Sequence, residues 1–154
     1  MLPFSTVIFA PLFGLMVDRM GKGTRWMIIG SVLALVAHLL LAFAPAGVPF
    51  WGYLSMAFLG FGYSLVPAAL WPSVPKIVPD KILGTTFALI YWVQNLGLLV
   101  FKRVAGGILG SESGSPVAVE LMFTGLCILA VASALLFARN SARHPELGLD
   151  RPSR

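Results

Sequence analysis

The sequence predicts an all-α protein, a polytopic membrane bundle of five helices, and three observations carry that expectation. Of the 154 residues, 58% are hydrophobic and 11% charged, whereas a soluble domain carries about a quarter charged residues. No Asp, Glu, Lys or Arg occurs in Met1–Val17, Trp26–Pro75, Ile82–Phe101 or Leu121–Ala138. The basic residues sit between these runs. A soluble chain with a mean hydropathy of +0.89 would lack the polar cover its surface needs; lipid is the solvent that suits it.

Crossing about 30 Å of hydrocarbon takes about 20 mainly apolar residues. Span one is read over residues 1–17, short, and clipped or kinked by Pro3 and Pro11. A signal peptide is the alternative for this segment, but Met1 is followed by no basic stretch and more spans come after it. Trp26–Pro75 is too long for one crossing, and Ala44–Pro49 breaks it into span two, residues 26–43, and span three, residues 50–70. Pro72, Pro75 and Pro79 forbid continuous helix through Trp71–Lys81, which becomes a connector. Asp80 is placed to cap span four, residues 82–104, where exposed amides favour a carboxylate. Gly106, Gly107 and Gly110 open a loop, and span five covers residues 119–138. The polar tail, residues 139–154 with Pro145 and Pro152, is expected to be cytoplasmic and disordered.

Alternating the loops across the bilayer puts Arg19, Lys22, Arg25, Lys76, Lys81, Arg139, Arg143, Arg151 and Arg154 on one side, and only Lys102 and Arg103 on the other. Basic loops stay cytoplasmic, so Met1 is expected outside and the tail inside. An odd number of spans without a cytoplasmic lead-in is expected of a fragment. The net charge of +5 lies in short loops, so the partners expected are membrane lipid and a small-molecule solute, not nucleic acid. The single Cys127 allows no disulfide and no cysteine metal site.

After span one comes Gly14-Leu15-Met16-Val17-Asp18-Arg19-Met20-Gly21-Lys22-Gly23-Thr24-Arg25. From the residues alone, Gly14 lets a neighbouring helix approach, Gly21 permits a tight reversal, and Asp18 can face a positive helix N-terminus. The string resembles the cytoplasmic signature of the major facilitator superfamily, Gly-x-x-x-Asp-Arg-x-Gly-Arg/Lys-Arg/Lys. Gly23 departs from it where a second basic residue is usual, and Arg25 is the nearest substitute. Ala69-Leu70-Trp71-Pro72 and Gln94-Asn95-Leu96-Gly97-Leu98 are similar to the tenth and eleventh helices of a dipeptide-uniporter branch of that family. The resemblance implies helices eight to twelve of a twelve-helix transporter with alternating access, a missing N-terminal half as partner, and a conformational-switch motif of Gly14, Asp18, Arg19, Gly21 and Lys22. It also implies that spans two and five are peripheral, and that spans one, three and four line part of the substrate cavity.

Polar groups in a bilayer are costly and mark pathways or helix contacts. Tyr91 and Asn95 are four residues apart and share a helix face with Gln94 close by. The Gln94 and Asn95 amides suit a multiply hydrogen-bonding solute, or equally a hydrogen bond between helices. Tyr63 and Ser64 in span three join them as substrate-binding candidates, with Gly60 and Gly62 beside them for bending or, the safer reading, close packing. Trp71 either closes the inner mouth or anchors the interface. His38 is expected to be neutral and hydrogen-bonded rather than a proton relay, Lys102 and Arg103 to snorkel outward, and Glu120 to face the outer headgroups.

The expected function is secondary transport of a small polar solute, with dipeptides suggested by the resemblance. The alternatives are a non-transporting accessory membrane protein or a truncated remnant. A membrane enzyme would need paired aspartates, a His-Glu-x-x-His pattern or a Ser–His pair, and His38 and His144 are the 2 histidines present. No catalytic residue, metal site or cofactor is expected. The tail shows no lysosomal sorting signal, and the bacterial inner membrane and the lysosomal membrane both fit.

Overall fold

The computed structural model describes residues 2–45, 47–112 and 114–152, with side chains from Pro11 onward and at Phe9. Met1, Ala46, Ser113, Ser153 and Arg154, and the side chain of Pro3, which the sequence places in the first span, the loops and the tail, lie outside the described residues.

Five α-helices follow in order: α1 Leu2–Met20, α2 Gly23–Phe43, α3 Pro49–Leu70, α4 Leu83–Leu109 and α5 Pro116–Arg143. Pro49 and Pro116 occupy first turns, where the missing amide hydrogen costs nothing. Among the described residues there is no strand, and four helical stretches are long and apolar enough to cross a membrane: Gly23–Phe43, Pro49–Lys76, Asp80–Leu109 and Pro116–Arg143. α1, part of which lies outside the described side chains, is not among those four.

Small residues make the bundle. α2 packs chiefly on α3 and α5, and α3 also holds α1. A Cβ on Gly62 would stand 2.6 Å from the Gly30 carbonyl oxygen, and one on Gly30 would stand 2.8 Å from Val66 Cγ2. The α2 and α3 backbones therefore touch at this crossing, and Gly62 serves packing. Buried Ala37, Ser55, Ser64 and Ala69 extend the close contact, as small residues do where lipid offers no hydrophobic drive between helices. The buried hydroxyls are satisfied inside their own helices, Ser31 donating to Met27 O at 2.8 Å and Ser64 to Gly60 O at 2.8 Å. Phe9, Phe13 and Phe61 join α1 to α3, with Phe9 and Phe61 centroids 4.8 Å apart.

Several expectations are corrected here. α4 runs on through Gly106 and Gly107 to Leu109, so Lys102 and Arg103 sit inside a helix rather than at its close. Its N-cap position is Ile82, with no side-chain cap hydrogen bond; Asp80 instead begins a separate 3-10 turn, Asp80–Ile82, one turn too early to cap α4. The connector's prolines end the α-helix at Leu70 but not the winding, which tightens into a 3-10 helix over Trp71–Lys76. A Cβ on Gly14 would meet no atom within 4 Å, so among the described residues no neighbouring helix comes close at that glycine. Among the described residues the segment after α5 is folded back on the bundle, turning through a 3-10 helix at Pro145–Leu147 and burying Leu149. Its polarity suggested disorder because the sequence does not show which polar groups await it.

Candidate functional site

At one end of the bundle the α1–α2 turn, the α3–α4 connector and the segment after α5 converge. Gly21 (φ 63°) and Lys22 (φ 58°) reverse the chain in the left-handed region, and the Gly21 amide donates to Val17 O at 2.8 Å. Lys22 is the N-cap of α2 and offers no side-chain cap. The cap comes from far along the sequence. The Thr24 amide and hydroxyl donate to Asp150 Oδ1 at 3.0 and 2.9 Å, and the Ser141 hydroxyl donates to Asp150 Oδ2 at 3.1 Å. A carboxylate at a helix N-terminus meets both unpaired amides and the positive end of the helix dipole. Asp18 and Lys76 stand beside a small recess here, with Gly21, Ser73 and Leu149 in its wall.

A larger cavity of about 490 Å³ opens between α4 and the body formed by α2, α3 and α5. Tyr63, Pro67, Leu70 and Trp71 line it from α3 and its 3-10 extension, Gln94 and Ile90 from α4, and Ser31 from α2. Most of this wall is apolar, with Tyr63 and Gln94 supplying the exposed hydrogen-bonding groups. Trp71 stacks on Tyr91 at 4.8 Å and lies 5.7 Å from Phe87, so it is a wall residue tied to α4. Of the five substrate-binding candidates, the structure brings Tyr63 and Gln94 to one cavity and places Tyr91 beside it. Ser64 is 1% exposed and hydrogen-bonded within its helix, so its hydroxyl does not reach the cavity. Asn95 is exposed on α4, outside the lining, and its amide donates to Tyr91 O at 2.8 Å.

At the opposite end His38 Nδ1 meets Glu120 Oε2 at 2.7 Å, with side chains 15% and 25% exposed. Phe123 stacks on the imidazole at 5.3 Å. Glu120, expected among outer headgroups, points instead at a partner on α2.

A sequence profile of the Major Facilitator Superfamily matches residues 1–153. The chain belongs to that superfamily. Among curated proteins, this superfamily chain is similar to the lysosomal dipeptide transporter MFSD1 of Mus musculus, 41% identical over 134 residues that make up 84% of this chain and 27% of the mouse protein. The Danio rerio MFSD1 is 34% identical over 94% of this chain and 30% of its own length. The Homo sapiens MFSD1 is 37% identical over 82% of this chain and 26% of its own length. The chain therefore spans between about a quarter and a third of these relatives. It is a multi-pass membrane segment of the superfamily.

Two features of the superfamily chain had no signal in the sequence. Asp150 sits 126 positions from Thr24, and Glu120 82 positions from His38. Only a helix register, unknown without packing, pairs them.

Proposed function

We propose that this chain is the rear portion of a secondary transporter, which moves a small polar solute of the dipeptide class across a membrane by alternating access together with an N-terminal half. The superfamily match over residues 1–153 carries the reading, and the dipeptide class follows from the names of the MFSD1 relatives. α4 supports the partner half: among the described residues none of this helix is buried, yet it bears Gln94 and Asn95. Gln94 lines the cavity and the Asn95 amide donates to Tyr91 O within its own helix. Polar atoms left facing hydrocarbon without a partner cost several kcal/mol, so the remaining polar atoms of both side chains call for protein, water or solute.

In this reading Tyr63 and Gln94 hydrogen-bond the solute, while Trp71 and the apolar wall take its side chains. Tyr91 and Asn95 face the N-terminal half and border the path. Gly14, Asp18, Arg19, Gly21 and Lys22 form the switch that changes state as the two halves rock.

Uptake of a labelled dipeptide into vesicles containing the complete protein tests this. Uptake that exceeds protein-free vesicles and falls with Gln94→Ala is the expected result; none above background for a panel of dipeptides overturns the substrate class. Asp18→Asn is expected to slow turnover several-fold with little loss of folded protein, because a carboxylate at a helix terminus contributes about 0.3–1 kcal/mol, and up to about 2 when partly buried.

A further inference from the structure

The segment after α5 doubles back onto the α1–α2 turn, and we propose that it is a clasp, closed by Asp150, that makes the switch turn, the α3 connector and α5 move as one body during transport. The proposal rests on the reading of this turn as the switch of a transporter.

The contacts reach three elements from a few residues. The Asp150 carboxylate accepts from the Thr24 amide and hydroxyl on α2 and from the Ser141 hydroxyl on α5. The Asp150 carbonyl accepts from the Lys22 amide at 2.9 Å, inside the turn itself. From the connector, Lys76 Nζ donates to the carbonyls of Gly148 at 3.1 Å and Arg151 at 3.3 Å. Leu149 is 6% exposed, and its carbonyl oxygen lies 3.5 Å from where a Cβ on Gly23 would stand. Gly21 is the seat of the clasp. A Cβ there would lie 2.5 Å from the Asp150 carbonyl oxygen and 2.9 Å from the Pro152 nitrogen. The motif glycine thus serves two needs at once, its positive φ and the passage of another strand of chain.

The chemistry suits a fastening that works in a cycle. Carboxylate, hydroxyl, amide and ammonium groups at the end of a bundle exchange readily with water, unlike the Gly30–Gly62 contact inside it. A helix N-terminus favours the charged carboxylate over its amide analogue. Asp150 is a positioning residue; it touches no solute.

The test uses the complete transporter carrying Asp150→Asn, Thr24→Val, Thr24→Ser and the Asp150→Asn/Thr24→Val pair. Asp150→Asn and Thr24→Val should each lower kcat about threefold to tenfold with KM and Tm near wild type, the signature of a conformational step and not of binding. Thr24→Ser keeps the donor and should keep turnover, and the double variant should be no slower than the slower single. A second readout needs no transport. In a background with Cys127 and every other cysteine of the complete protein replaced by serine, Leu70→Cys on the cavity wall is labelled with a membrane-impermeant thiol reagent, and Asp150→Asn should change the rate at least about threefold. Wild-type turnover and labelling in Asp150→Asn overturn the proposal. So does a lowered Tm with unchanged turnover per folded molecule, which makes the clasp a staple only. If the wild-type protein moves none of the dipeptides while labelling still responds to Asp150→Asn, the substrate reading fails and the clasp stands; if labelling is silent as well, the clasp fails too.

Discussion

α2 and α4 are both uncharged through their centres, but they live in different surroundings. α2 is pressed between α3 and α5, with Gly30, Ser31, Ala37 and Ala42 buried. α4 lies against the bundle with no buried residue among those described, and it carries the mid-helix amides. The difference teaches that apolar composition marks a helix for the bilayer without saying which neighbour it meets. Small residues let α2 make its contacts within this chain. The large side chains of α4, Trp92 at 63% exposed and Leu99 at 65%, stand away from the other helices of this chain.

The sharpest way to break that comparison is a pair of leucines. Gly62→Leu drives a side chain into the Gly30 backbone, and overpacking of this kind costs about 1–3 kcal/mol or more. A Cβ on Gly97 of α4 would meet no described atom within 4 Å, so Gly97→Leu should be near neutral in this chain. Melting both variants in detergent decides it, and equal losses would mean that α4 is packed as tightly as α2. Next in size is the α2–α5 fastening: Glu120→Ala leaves the part-buried His38 without this partner, at a cost of about 1 kcal/mol, the low end for an unsatisfied polar group. Adding His38→Ala should cost little more, which a double-mutant cycle checks.

On α4 the order of effects inverts. Gln94→Ala should change stability by about 0.5 kcal/mol or less while weakening solute affinity about tenfold in the complete transporter. Comparable losses in both would make Gln94 a helix contact. The smallest effect belongs to the clasp's outer turn. Glu146 is held below the ordinary carboxylate range first by a hydrogen bond from its own main chain and then by His144 at 2.8 Å. A depressed carboxylate stabilises the fold above its unfolded pKa, and that contribution disappears as pH falls through the folded value. Acidification should therefore loosen the Pro145–Leu147 turn only below the ordinary carboxylate range. An NMR titration of the Glu146 carboxyl carbon that found an ordinary midpoint would remove this contribution.

Much was legible in the residues themselves. Uncharged runs long enough for the bilayer located the helices, because an ionised side chain in hydrocarbon is expensive. The spacing around Gly14–Arg25 and the Gln94–Leu98 string marked the superfamily, and Gly62 was read correctly as a packing glycine. Helix ends were less legible: α4 overran its expected end through Gly106 and Gly107, because a glycine inside a helix costs only about 1 kcal/mol and does not by itself end it. The candidate site divided along a similar line. Tyr63 and Gln94 face one cavity, whereas Ser64, adjacent in sequence to Tyr63, turns about 100° away along the helix and is buried.

Local sequence thus determined which segments form long apolar helices, where the chain reverses and what family it belongs to, since hydropathy and glycine backbone freedom act over a few residues. Only the tertiary structure decided that Asp150 caps α2, that Glu120 meets His38, and that the polar tail is a fold element. Those pairings depend on how helices rotate and stack. A carboxylate finds its donors across 126 positions of sequence only after the small residues of α2, α3 and α5 have set the distances between them.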